Sequence, residues 1–228
     1  MNRLIVIPTA PETDHFLEAL AEQGYQAHAA AAGRLATTYF PALDITVAQG
    51  GLGKTQFAVH TQHLIEAAPW DWVICAGAAG ALTDSLAVGD VVIATETVEH
   101  DIRNRFGKPL LPRFGSAETI LEHCRQTLPA TQTYKVHFGA IASGDEDVVE
   151  LVRREAIYRQ TGALAVAWEG AGGARACRFS NIPYLEVRGV SDRADGKAAA
   201  DFLENLPVVM SHVAEVIVSW MRAQEPQR

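Results

Sequence analysis

With 228 residues, 48% of them hydrophobic and only 20% charged, the chain can bury a large core and fits a single α/β domain spanning 1–228. Its net charge of −8 is not offset by any basic block, and Lys and Arg are scattered along the chain, so no nucleic acid is expected and a small molecule is the expected partner. Three cysteines, Cys75, Cys124 and Cys177, lie far apart without a Cys-x-x-Cys pair; this argues against a disulfide framework or structural zinc and fits a reducing cytoplasm. The first apolar run, Leu4 to Ile7 before Pro8, is too short for a signal-peptide core or a membrane span, so no membrane partner is expected.

Taken in chain order, apolar and β-branched runs predict strands at 3–7, 44–49, 71–77, 90–98, 134–143, 163–169 and 184–191, with an edge strand at 36–40. Helical patterns fall between them at 12–23, 53–67, 117–127, 147–160, 170–180 and 200–222. Nearly continuous apolar strands alternating with helices imply an α/β fold with a largely parallel sheet covered on both faces. The stretch 103–116 is the longest polar, Pro- and Gly-rich loop, the kind that serves an active site or an interface.

The turn "GGLGKT" after residue 49 imitates an ATP-binding phosphate loop. That motif needs a glycine five residues before Gly53-Lys54, and Ala48 stands there, so the match fails. In open parallel sheets ligands collect beyond the carboxyl ends of strands, and here those positions read "GGLGK", "GAAGAL", "EHD", "GDED", "EGAGG" and "DRAD". Each carries glycines, acids or both.

Glu169, at a strand end before the small-residue run "GAGGA", could grip a vicinal diol, since a carboxylate accepts from two hydroxyls without offering a competing donor; equally, it could cap the helix that follows. Asp192 follows a buried-looking strand and Ser191, where desolvation would raise its pKa as a general acid requires; the plainer reading is a turn aspartate.

Together, the order "GGLGK", "GAAGAL", "AVGDVVIA", "EHD", "SGD", "WEGAGGARAC" and "RGVSDRAD" resembles the nucleoside phosphorylase superfamily, above all its 5′-methylthioadenosine/S-adenosylhomocysteine nucleosidase branch. The likeness runs from about Ile5 to the last helix. It implies a three-layer α/β/α fold with a mixed central sheet, hydrolysis of the N-glycosidic bond of a purine-type nucleoside, no metal or organic cofactor, and a homodimer or higher homo-oligomer. By resemblance, Glu169 binds the ribose hydroxyls, Trp168 lies along the sugar, and Asp192 protonates the base as the bond breaks. Gly77, Ala78, Ser191, Val148 and Asp147 complete the implied binding set. The water-activating glutamate of the nucleosidases falls, without gaps, on Thr13, so Glu12 with a small local shift is favoured for that role and Asp14 is the substitute, unless both merely charge the first turn of a helix.

One departure bears on the substrate. Asp147 and Val148 stand where the nucleosidases place a stacking phenylalanine, so either Trp168, Phe106 or Phe114 supplies the ring or the base is not plain adenine, while Glu146 and Asp147 either face a base bearing donors or a positive charge, or cap a helix. The phosphorylase branch is the alternative; it needs arginines around phosphate, and "VICAGAAGAL" and "IPTAPETD" carry none, leaving Arg34, Arg103 and Arg105 to reach in from elsewhere. A member that binds a nucleoside without cleaving it is a further alternative. His100 and Asp101 match a His-Asp pair near the subunit interface, with a structural role favoured, and Cys75 and Cys177 read as core residues.

Overall fold

Alternate residues of the first strand point to opposite faces of the sheet, and each face meets its own set of helices. The structure, a computed structural model, describes residues 2–103, 106–107, 110–128 and 133–223. Strand β1 (Arg3–Ile7) sends Ile5 and Ile7 to one side and Leu4 and Val6 to the other. On the first side they pack with α1 (Ala10–Glu22), α3 (Glu118–Thr127) and α6 (Ala198–Arg222); on the second, with α2 (Gly53–Ala67) and α5 (Gly170–Phe179). The result is the three-layer α/β/α arrangement.

The remaining elements are β2 (His28–Ala32), β3 (Leu35–Phe40), β4 (Ile45–Gln49), β5 (Trp72–Ala81), β6 (Val91–Glu99), β7 (Arg113–Gly115), β8 (Val136–Ser143), α4 (Leu151–Thr161), β9 (Ala165–Ala167) and β10 (Tyr184–Asp192). The sheet runs β10-β6-β8-β9-β5-β1-β4-β3-β2, and β10 also pairs with β5. Five strands, β5, β10, β6, β8 and β9, therefore close into a ring, and β1, β4, β3 and β2 extend from it as a wing. β1, β4, β5 and β10 run parallel, whereas β6, β8 and β9 run against β5 and β10 inside the ring. The sheet is mixed.

Sequence boundaries shift where local chemistry overrides pattern. Alanine-rich β2 lacks the β-branched residues that announce a strand and forms only by pairing with β3. β7 lies within the stretch read as loop, paired with β6. Helix α1 begins at Ala10 because Thr9 caps it and Pro11 fits its first turn. Helix α4 starts only at Leu151, leaving 147–150 as extended chain beside the site, and the strand expected over 163–169 contracts to Ala165–Ala167. α6 is long and apolar enough by composition to cross a membrane, yet its apolar side, with Val209, Val213, Ile217 and Trp220, is spent on the core. The three cysteines are free and buried.

Small residues set the spacing between helices. A Cβ added at Gly172 would lie 2.3 Å from the Lys54 carbonyl, and one at Gly173 2.9 Å from Phe57, so the "GAGGA" run lets α5 approach α2 closely. That contact brings the start of α2 up to Glu169.

Candidate active site

A cavity of about 530 Å³ opens where the ends of β5, β9 and β10 meet the starts of α1, α2 and α6. Three carboxylates from separate parts of the chain, Glu12, Glu169 and Asp192, face into it. All three are buried.

Glu12 lies on the third residue of α1 and does two things at once. Its Oε2 accepts from the backbone N–H (3.1 Å) and the hydroxyl (2.6 Å) of Thr9, closing a capping box, while Oε1 accepts from the Ala78 N–H at 2.9 Å. Each carboxylate oxygen has two lone pairs, so a water can still bind at the cavity face. Asp14 is exposed and is not among the residues lining the cavity, so of the two candidates only Glu12 is positioned there. The helical phase set by Thr9 explains the difference: two further residues carry Asp14 round the helix, away from the site.

Glu169 precedes α5, but its side chain makes no capping bond to that helix. It crosses instead to α2, where Oε1 accepts from the Gly53 N–H at 3.2 Å, and its Oε2 lies 3.4 Å from Arg188 Nη2. Burial raises its pKa to about 7, opposed by Arg188 and assisted by the negative charge of Glu12. The glycine-rich turn thus supplies a backbone donor to a carboxylate. Lys54 holds no phosphate; its ammonium is ion-paired with Asp101 and lies 3.5 Å from Glu99, and its backbone N–H is bound by Asp145 at 2.7 Å.

Asp192 ends β10 beside an irregularity in its pairing with β5 that turns the carboxyl inward. The Ser191 hydroxyl donates to Oδ2 at 2.7 Å and the Ala194 N–H to Oδ1 at 2.8 Å. Burial pushes its pKa above the ordinary range, although both hydrogen bonds pull it down. A Cβ at Gly80 would lie 2.8 Å from Oδ1, so glycine is what leaves this carboxyl room.

Trp168, Ala78, Ser191, Val148 and Asp147 all line the cavity, with Asp147 exposed at its mouth. Gly77 lies behind it: a Cβ there would fall 2.6 Å from Arg188 Nη1 and 2.7 Å from Glu12 Oε1, so its bareness lets those side chains converge. Glu146 lines the cavity and is paired with Arg153. Phe106 is fully exposed and Phe114 is buried beneath Arg175, and neither lines this cavity. Phe202, at the start of α6, lines the cavity together with Trp168.

Arg188 is the residue that sequence reasoning passed over. It is buried at the cavity floor and is the only Lys or Arg among the described lining residues. Its signal was visible as Glu186 and Arg188, two charges on one face of an otherwise apolar strand. Arg34 and Arg103 are exposed away from the cavity, and Arg105 falls outside the described residues. The "SGD" run is structural: Ser143 Oγ donates to the Trp168 carbonyl at 2.6 Å and accepts from the Ala171 N–H at 2.9 Å, and Asp145 binds the start of α2. Burial lowers the His100 pKa, keeping the imidazole neutral against Gly144.

Fold and site together define an α/β enzyme whose buried carboxylates can bind hydroxyls and move protons on a small molecule. Comparison with known proteins narrows this further. The Phosphorylase superfamily profile matches residues 2–221. A 5′-methylthioadenosine/S-adenosylhomocysteine nucleosidase of Staphylococcus aureus (strain JH9) is 36% identical over 188 residues, covering 77% of this chain and 82% of the relative. The nucleosidase of S. pneumoniae with the transition-state inhibitor MT-ImmA has a TM-score of 0.85 at 26% identity, covering 99% of this chain and 100% of its own. That of Neisseria meningitidis with methylthio-immucillin-A has a TM-score of 0.83 at 29% identity, covering 96% and 98%. The chain belongs to the phosphorylase superfamily.

Proposed function

We propose that this protein hydrolyses the N-glycosidic bond of a purine nucleoside, with adenine as base, releasing the free base and the ribose derivative. The observation that carries the reading is the convergence of Glu12, Glu169 and Asp192 on one cavity. Ionised Glu169 accepts from the ribose hydroxyls and faces the positive charge that grows on the sugar. Asp192, protonated, donates to N7 of the base as the C1′–N9 bond breaks, and the bonding pair leaves with the purine. Glu12 takes a proton from the water that attacks C1′ from the other side. The neutral Asp192 acid also accepts from a 6-amino group but meets an acceptor in a 6-oxopurine, which favours adenine.

Hydrolysis is favoured over phosphorolysis because Arg188 already serves the carboxylates of Glu186 and Glu169, and the cavity acids Glu12 and Glu169 would repel a phosphate dianion. The inhibitor complexes of the relatives support a nucleoside ligand. A cytoplasmic homodimer completes the proposal, supported by the free, buried cysteines and by exposed Val59 and Phe179 along α2 and α5.

The test is base release from adenosine, 5′-methylthioadenosine, S-adenosylhomocysteine, 5′-deoxyadenosine, inosine and guanosine, each with and without phosphate. Adenine release that is independent of phosphate is expected. Strict phosphate dependence would move the protein to the phosphorylase reaction, and silence across the panel would favour a non-cleaving binder.

A further inference from the structure

Glu186 is a buried acid that the reaction scheme leaves unused. It is 0% exposed, is not among the cavity-lining residues, and lies two positions before Arg188 on the same face of β10. Both its oxygens are engaged: Oε1 accepts from Arg188 Nε at 2.9 Å and Oε2 from the Thr97 hydroxyl of β6 at 2.5 Å. The chain has made room for it. A Cβ at Gly170, the residue directly after Glu169, would lie 2.2 Å from Glu186 Oε2.

The guanidinium has two edges, and this geometry separates their duties. Its inner Nε edge belongs to Glu186. Its outer groups reach the Ala78 carbonyl (Nη1, 3.3 Å), and the Cys75 sulfur and Glu169 (both Nη2, at 3.3 and 3.4 Å). We propose that Glu186 is a positioning residue for the reaction: held by Thr97 and by the gap at Gly170, it fixes Arg188 so that the outer edge supports Glu169 at the cavity floor. A planar fork held on one edge has a defined direction on the other. Glu186 also takes part of the Arg188 charge, so that Glu169 is steadied without the full field of an unshared cation.

This inference rests on the ribose-binding reading of Glu169, and the experiment separates the two. Release of adenine from 5′-methylthioadenosine is followed against pH for the wild type, Glu186→Gln, Thr97→Val and Glu169→Gln, with folding checked by circular dichroism. Glutamine keeps the shape and an acceptor for Nε while removing the charge. Glu186→Gln is expected to lower kcat about tenfold with KM within about twofold, and to move the acid limb to lower pH by about one unit, because Arg188 then acts more fully on Glu169. Thr97→Val, which loosens Glu186 without removing its charge, is expected to lower kcat several-fold and leave the limb in place. If Glu186→Gln folds and keeps the wild-type kcat and pH profile, the proposal is overturned; if it fails to fold, an unchanged kcat in Thr97→Val overturns it. Wild-type activity in Glu169→Gln would instead overturn the reading of the site itself.

Discussion

The cavity has a floor and a rim, and they are built by opposite means. At the floor, Glu12, Glu169 and Arg188 are buried, and each is tied to backbone or to a second charge by at least one bond from another element. At the rim, Asp147 and Leu203 are exposed, Leu203 by 72%, as are the apolar Val149 and Leu52, while half-buried Phe202 packs against the core from the cavity side. Groups that must stabilise charge in a transition state gain by being held before the substrate arrives, whereas groups that recognise a substituent need only fit it. On the proposed reading the floor carries the chemistry and the rim the choice of substrate. Asp192, buried like the floor, would join them by meeting the base.

Substitutions should divide along the same line. Asp192→Asn keeps the shape and loses the proton donor; kcat should fall about a thousandfold while a non-cleavable nucleoside analogue still binds, as judged by calorimetry. A loss in affinity equal to the loss in rate would move Asp192 from floor to rim.

Glu169→Gln should lower kcat about a hundredfold and also change stability in a pH-dependent way. A carboxyl raised from 4.5 to about 7 by burial ionises less readily folded than unfolded, so wild-type stability is lost as pH rises through that window, by up to about 3 kcal/mol above it. The variant lacks that penalty, though Arg188 loses one partner. The melting temperature of Glu169→Gln relative to wild type should therefore climb between pH 4.5 and 8. A difference that stays flat would mean that Glu169 is not desolvated.

The smallest effect is expected at the rim. Phe202→Ala should raise KM about five- to tenfold with kcat within about twofold, because it removes apolar contact shared by ground and transition states. A large fall in kcat would show that Phe202 helps to place the reacting bond.

The sequence made parts of this division legible. Glu169 and Asp192 stand at strand ends where α/β sheets gather ligands, and the structure brings both into the cavity. Glu12 was favoured over Asp14 only by assuming a small local shift, because a gapless match falls on Thr13. The spacing Thr9-x-x-Glu12 held the missing signal, since a capping box fixes where the helix starts and hence which acid points inward. Phe202 was hidden for a different reason: α6 begins two residues earlier than its pattern suggests, and an aromatic residue in an apolar helix reads as core. β2 could not be read at all, since alanine becomes a strand only through its partner. Arg188 was legible as a charge in an apolar strand, but its partners come from β5, α5 and its own strand, and only the closed ring brings them together.

The most direct measurement is the rate of adenine release from 5′-methylthioadenosine in phosphate-free buffer by the wild type, Glu12→Gln and Asp14→Asn, side by side. Hydrolysis by a water activated at the cavity floor predicts phosphate-independent release by the wild type, a loss of about a thousandfold in Glu12→Gln, and little change in Asp14→Asn. An active Glu12→Gln beside an inactive Asp14→Asn, or a wild type that stays silent until phosphate is added, would contradict the account.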